Sequence, residues 1–479
     1  RGRAKLGCGG GSGSMSAQMR PSAKQEAPSA AKQQPGRVSP TFGGRGERRD
    51  PVGSGILTNP AGDPYDRPMI GEPFVLGVNY WPRRKAMTWW ADFDETEVRE
   101  EFAVIASVDM TMVRIFLFWE HWQPTPTSVD EASLEHLGTV CDVAEELGLQ
   151  LDVTFFTGHM SGPNWAPSWM LLRDEPMPGY VNQVISNRTA VDCAIRNPFE
   201  DQLVLDAERL LLRTVVERYR DHPAIGIWNL GNEPDNFARP TTHLMGRAWV
   251  EEMTSIIRSI DPVHPVTCGL HVESLQVDNG LWVGDVFGAV DLAVMHGYPM
   301  YSDWSHGNLD TQFVPFMCAL TSALCGKPTM AEEFGACTEA PGAPSTTWEW
   351  TAFGRPRTQF MASEEAFADY LEEVLENLLA VGSTGAMLWC FADYTDDQWT
   401  SPPCDEAIHE RFFGLVRPDG SLKPHAEVIR RFAARHPLVQ SPTRPVELDV
   451  TQDEFYAAPR QEVERLYEDW RNRYVTTEA

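Results

Sequence analysis

Eight short apolar runs, each followed by a helical or loop segment, constrain this chain more than any other feature of its sequence. They are FVLGVNYW (74–81), MTMVRIFLFW (110–119), QLDVTFFTG (150–158), AIGIWNL (224–230), PVTCGLH (265–271), LAVMHGY (292–298), PTMAEEFG (328–335) and GAMLWCFAD (385–393). The runs are rich in β-branched and aromatic residues and read as near-continuous apolar stretches, the pattern of parallel strands covered on both faces. Helical periodicity separates them at 94–107, 130–147, 199–220, 241–259, 310–324 and 363–381, and follows the last at 424–434. The link between the fifth and sixth runs is the weakest helix. Eight strand–helix units predict an α/β fold, a closed (β/α)8 barrel of the TIM type. An open doubly wound sheet fits less well, because NYWPRR and not a glycine-rich phosphate loop follows the first run.

Residues 1–68 are rich in Gly, Ser, Pro, Gln and Arg, lack apolar periodicity, and read as a disordered, low-complexity segment. The barrel is expected over 69–435. A C-terminal extension, 436–479, ends in a stretch that reads either as an amphipathic helix packed on the barrel or as a solvated tail. Lys and Arg total 40 against 68 Asp and Glu, a formal net charge of −28. Such a field repels phosphate backbones and anionic lipid, which argues against nucleic-acid and membrane-surface partners but not against neutral solutes. No apolar run is long enough to suggest a transmembrane helix. Nine cysteines without a CxxC pair, and no apolar signal core in the first 50 residues, point to a cytoplasmic protein; a leader upstream of Arg1 would make it secreted.

In a barrel of this kind the reactive groups stand at the carboxyl ends of the strands. Arg114 lies on the second run, His159 ends the third, and Asn232-Glu233-Pro234 ends the fourth. His296-Gly297-Tyr298 ends the sixth, Glu332-Glu333-Phe334-Gly335 ends the seventh, and Trp389 lies in the eighth. Two carboxyl groups facing each other across a barrel mouth are what glycosidic cleavage requires. One gives a proton to the leaving oxygen, the other attacks the anomeric carbon, and a separation of about 5–5.5 Å gives retention of configuration. Glu233 suits the acid/base and Glu333 the nucleophile. Arg114 and Tyr298 are placed to keep Glu333 ionised, and the charge of Glu333 is expected to raise the pKa of Glu233. Asn232 can hold a sugar 2-hydroxyl, and Trp389 can form an apolar floor beneath the ring. Sixteen tryptophans suit a carbohydrate ligand, since the apolar faces of sugars stack on indole. Trp81, placed near the mouth by the NYWPRR of the first run, is a candidate sugar contact, and Trp399, with Trp165, Trp169, Trp348, Trp350, Phe353 and Tyr394, is a candidate sugar platform in the connections after the third, seventh and eighth runs. These connections could wall off one end of a groove, favouring short chains or exo attack.

The segments MVRIF, WNLGNEP, HGYPMY, EEFGA and LWCFADY resemble the strand-end motifs of glycoside hydrolase clan A, family 5 in particular, over roughly residues 73–435. The resemblance places the family's active-site set on Arg114, His159, Asn232, Glu233, His296, Tyr298, Glu333 and Trp389, with His121 a substitute for His159. It implies a retaining hydrolase of β-linked glycans, closest to the mannan-directed branches, with a β-1,4-glucanase or β-glucosidase type as the alternative. The substrate partner would be a β-linked oligo- or polysaccharide. No HExxH or clustered Cys spacing occurs, so no metal or other cofactor is expected. A non-catalytic carbohydrate-binding barrel would lack one of the two carboxylates, and an isomerase or aldolase barrel would want a strand-end lysine, whereas Lys327 stands at the start of its strand.

Overall fold

In a computed structural model of the chain, the described residues are 69–475, so the segment read as disordered, 1–68, lies outside them. The eight apolar runs form eight parallel strands: β1 (Val75–Asn79), β2 (Met112–Phe118), β3 (Gln150–Thr157), β4 (Ile225–Asn232), β5 (Val266–Gly269), β6 (Ala293–His296), β7 (Thr329–Phe334) and β8 (Gly385–Leu388). Their order in the sheet is 5-4-3-2-1-8-7-6. The last seam closes through a parallel bridge between His271 and His296 and the bond from His296 N to Leu270 O (2.9 Å). The sheet is thus a (β/α)8 barrel with its strand C-termini at one mouth.

The outer layer comprises α1 (Glu95–Ser107), α2 (Glu131–Glu146), α3 (Gln202–Tyr219), α4 (His243–Ile260), α5 (Val283–Ala289), α6 (Phe313–Cys325), α7 (Glu364–Ala380) and α8 (His425–Ala433). Polar caps start most of the long ones. Asp94, Asp130, Asp201, Thr242 and Ser363 each accept a backbone N–H of the first turn, which satisfies donors the helix itself leaves free. The weak helical link between the fifth and sixth strands folds as a single turn (Glu273–Gln276) followed by the seven-residue α5.

Beyond the barrel, α9 (Gln452–Ala457) and α10 (Pro459–Tyr474) pack onto its side. Helix α6 is apolar nearly all round, because β6 and β7 cover one face and α10 another; Phe316 meets Tyr467 and Trp470 at ring separations of 4.7 and 5.7 Å. Two connections carry structure of their own. The segment after β3 holds short strand pairs, and the segment after β7 holds an antiparallel hairpin, Thr346–Ala352 with Arg355–Met361. The hairpin's two-residue turn is Phe353-Gly354, both at positive φ (52° and 69°), the geometry that matches strand twist. Among the described residues no helix is long and apolar enough to cross a membrane, and all the cysteines are free.

Candidate active site

Each barrel strand delivers its inward residues to a layered polar stack beneath the mouth. Arg114 on β2 is fully buried at its centre. Its guanidinium donates to Thr154 Oγ1 (2.9 Å), Asn79 Oδ1 (3.1 Å) and Glu333 Oε2 (3.2 Å), and it lies 3.4 Å from Glu332 Oε2. Gly269 on β5 makes room for it, since a Cβ there would stand 2.7 Å from Arg114 Nη2 and 2.6 Å from Gly231 O. Glu332 occupies the lower layer, accepting from Asn229 Nδ2 (3.0 Å) and facing His296 Nε2 (3.0 Å).

One residue further along β7, Glu333 rises to the mouth. Tyr298 donates its hydroxyl to Glu333 Oε1 at 2.7 Å. Glu233 follows β4 directly, in the left-handed region (φ 45°), where few non-glycine residues sit. That turn is held by its N–H to Gly269 O (2.9 Å) and by Asn236, which donates to Glu233 Oε2 (2.8 Å). His296 Nδ1 stands 3.1 Å from Glu233 Oε1 and 3.5 Å from Glu333 Oε2. Oxygen atoms of both carboxylates and a ring nitrogen of His296 all lie within 4.8 Å of one another. Two carboxylates and an imidazole could ligate a divalent cation, but Tyr298 and Arg114 already aim donors at Glu333, and a cation would compete with both.

These groups line a cavity of about 560 Å³. His159, Asn232, Glu233, His296, Tyr298, Glu333 and Trp389 share its wall, and Arg114 lies just beneath. His159 pairs with Asn164 Oδ1 through Nδ1 (2.7 Å) and accepts Asn232 Nδ2 on its carbonyl (3.1 Å). His121 is not on the wall; it packs against Phe118. Trp389 donates from Nε1 to Glu410 (3.3 Å).

The two tryptophans proposed from the connections are corrected by the structure. Trp81 is fully buried, stacked on Phe116 at 5.1 Å and edge-on to Phe118 at 5.8 Å. Trp399 packs on Phe412 and the Arg411 guanidinium, with Nε1 bonded to Tyr394 O (2.9 Å), and anchors the segment after β8. Neither lines the cavity, nor do Trp165, Trp169, Trp348 or Tyr394, whereas Trp350 and Phe353 of the hairpin do.

His271 and Glu410 line the cavity and play no part in the sequence reading. His271 Nδ1 is 3.6 Å from Glu233 Oε2, and its Nε2 meets the buried Asp235 at 2.9 Å. Its position was accessible, since it ends the fifth apolar run as His159 ends the third. Glu410 stands seventeen residues past the eighth run, 393 to 410, where no strand-end rule reaches it.

The charge pattern also departs from expectation. Burial alone would raise Glu233, but the imidazoles of His271, His296 and His159 outweigh it and hold the carboxyl below its usual range. Glu333 moves up instead, through burial and the charge of Glu233, against the donors that favour its ionised form. His271, despite burial, is held protonated by Asp235 and Glu233 up to about 10. Glu233 moves down as His271 and His296 move up, the mutual effect of a carboxylate and imidazoles in contact.

Barrel, strand-end carboxylates and flanking donors together define the class: a (β/α)8 barrel with a paired-carboxylate site at the carboxyl ends of its strands. The model for glycosyl hydrolases family 2, TIM barrel domain, matches residues 180–435, and the chain belongs to that family of catalytic barrels. A mannan endo-1,4-beta-mannosidase 2 of Oryza sativa subsp. japonica is 27% identical over 312 residues, covering 57% of this chain and 66% of the relative. The chain thus spans just under two thirds of that curated relative. Among solved structures, a GH5_18 protein from Streptomyces cattleya in complex with GlcNAc aligns with a TM-score of 0.66 at 20% identity, covering 83% of this chain and 90% of that one. An exo-beta-1,4-mannosidase from Opitutaceae bacterium strain TAV5 aligns at 0.62 and 23% identity, covering 76% of this chain and 59% of the other. At these identities the structural likeness speaks for the fold.

Proposed function

We propose that this chain is a retaining glycoside hydrolase that cleaves β-mannosyl linkages by double displacement. The observation that carries the reading is that an oxygen of Glu233 and one of Glu333 lie within 4.8 Å of each other, which suits the short carboxyl spacing of retaining enzymes, roughly 5–5.5 Å, better than the roughly 6.5–9.5 Å that an inverting enzyme needs to admit water. Glu333 attacks the anomeric carbon and forms a glycosyl ester as the glycosidic bond breaks. Glu233 passes a proton to the departing oxygen, drawing on His296 at 3.1 Å and His271 at 3.6 Å. Esterification removes the negative charge of Glu333. Glu233 then takes a proton from water, and the hydroxide that forms displaces Glu333 with a second inversion. Asn232 and His159 face the sugar hydroxyls, and Trp389 supports the ring. The preference for mannose rests on the curated relatives, which are mannan endo-1,4-beta-mannosidases. The free thiols suit a reducing, cytoplasmic setting.

Replacing Glu333 by Ala tests the mechanism. Turnover of an aryl β-mannoside should fall by at least about 10⁴-fold, as for loss of a covalent nucleophile. Added azide should restore part of it and give the α-mannosyl azide. Retention of activity without azide, or inversion by the unaltered enzyme as seen by product NMR, would refute the assignment.

A further inference from the structure

The cavity is closed on one flank. Its wall draws on the segments following β3 to β8 and on none following β1 or β2. The cause is the hairpin. From β7 it crosses to the segment after β8, where Trp350 Nε1 donates to Glu406 O (2.8 Å) and Phe353 N to Glu406 Oε2 (2.6 Å). It then reaches the segment after β3, where Arg357 Nη2 donates to Asn182 Oδ1 (2.8 Å) and the Phe353 ring lies in contact range of Gly162. Connections from β3, β7 and β8 are thereby joined in an arch, and the segments after β1 and β2 contribute no residue to the cavity wall. On the opposite flank, around β4 and β5, Glu273 is tied to Arg239 (3.6 Å) and Gln276 to Trp304 (2.8 Å), each across adjacent connections, while a longer tie, Tyr301 after β6 to His409 after β8 (3.0 Å), runs back toward the hairpin side.

Glu233 belongs to the second flank, where Asn236 and His271 hold it. A proton donor must stand beside the glycosidic oxygen, so the departing part of the substrate lies on that flank. The sugar being transferred then lies toward Trp389 and the arch, which leaves no path for a chain to continue past it. Resting on the β-mannoside-hydrolase reading, we propose that this enzyme is exo-acting: it removes single units from non-reducing ends, and the hairpin, latched by Arg357 to Asn182, enforces this. Arg357 and Gln359, both on the cavity wall, face the terminal hydroxyls.

The test uses β-1,4-mannohexaose labelled at its reducing end, with an aryl β-mannoside as control. The unaltered enzyme should release mannose alone and shorten the labelled chain one unit at a time, with little fall in the viscosity of soluble mannan. Labelled di- and trisaccharides appearing before the labelled pentasaccharide would overturn the proposal while leaving the hydrolase reading intact. Failure to cleave both hexaose and aryl mannoside would remove the reading itself, and the proposal with it. Shortening the hairpin so that a tight turn joins Thr346 to Met361, which already pair, should raise the ratio of internal to terminal cuts by roughly tenfold or more. The double variant R357A/N182A should raise it in the same direction and serves if the shortened chain does not fold. A folded variant, by circular dichroism, that still releases only mannose overturns the role given to the hairpin.

Discussion

At the scale of single residues, the site works by setting charges against one another at short range. Glu333 must be ionised to attack, yet burial and the neighbouring Glu233 raise its pKa. The Tyr298 hydroxyl, 2.7 Å away, and Arg114, 3.2 Å away, pull it down. A hydrogen bond to a charged group is worth about 1.5–3 kcal/mol, which corresponds to about one to two pKa units. Tyr298→Phe removes a donor to the ionised form, so Glu333 should become harder to ionise. The acidic limb of kcat/KM against pH on an aryl β-mannoside should then move to higher pH by about one unit. An unmoved limb would mean that the tyrosine does not govern the charge of the nucleophile. The residues legible in the sequence were those that a strand places: once the eight runs were set in a ring, Arg114, Glu233, His296 and Glu333 had to converge. Trp81 and Trp399 were misread because an indole at a strand end or in a connection faces either ligand or core. Only the path of the chain after the strand decides, and here Trp81 stacks on Phe116 and Trp399 packs on Phe412.

At the scale of elements, apolar runs and caps announce the barrel, while the connections that shape the cavity announce themselves weakly. The hairpin's first strand, TTWEWTA, alternates in the manner of a strand, but its partner RPRTQFM does not, and a Phe-Gly turn is not a strong turn signal. The C-terminal extension illustrates the converse. Its helical character was visible, but its destination was not. Tyr456 on α9 accepts Val283 N (2.8 Å) and donates to Ser274 O (2.8 Å), while its ring stacks on Trp282 at 4.4 Å. It therefore braces the connection after β5, which carries His271, Glu273 and Gln276 on the open flank of the cavity. Tyr456→Phe keeps the stacking and strips both hydrogen bonds from buried groups, a loss of about 1–3 kcal/mol. Urea unfolding should show that loss, accompanied by faster amide exchange at Ser274 and Val283. Wild-type stability in the variant would mean that the extension rests on the barrel without supporting it.

The whole molecule couples its stability to pH through two opposed sets of buried groups. Burial raises Glu101 and Glu410 to about 7 and Asp393 to about 6, so these stay protonated in the fold after their unfolded counterparts have ionised. Each removes stability as pH rises from its unfolded value, near 4, to its folded one. Burial lowers His121 and His409 to about 4, and His425 further, so these stay neutral while the unfolded chain takes up protons below about 6.5. Each adds stability as pH rises to that point. The two sets act in opposite directions between about pH 4.5 and 6.5. Above that window the imidazoles fall silent. His271, held charged up to about 10, then loses its contribution as pH climbs, and the formal charge of −28 adds self-repulsion. Below it, Glu233, Asp235 and Glu332, all depressed, lose the stability they hold as carboxylates. The slope of stability between those flanks is set by which of the two opposed sets prevails. Glu410→Gln tests the balance, because Gln keeps an acceptor for Trp389 Nε1 and cannot ionise. With one acid-favouring group removed, the histidines are less opposed. Relative to wild type, the variant should gain up to about 2 kcal/mol between pH 5 and 6.5, at about 1.4 kcal/mol per unit. Urea midpoints at half-unit steps would show the variant's profile tilting upward with pH relative to wild type, whereas parallel profiles for the two proteins would mean that Glu410 is already ionised in the fold across that range.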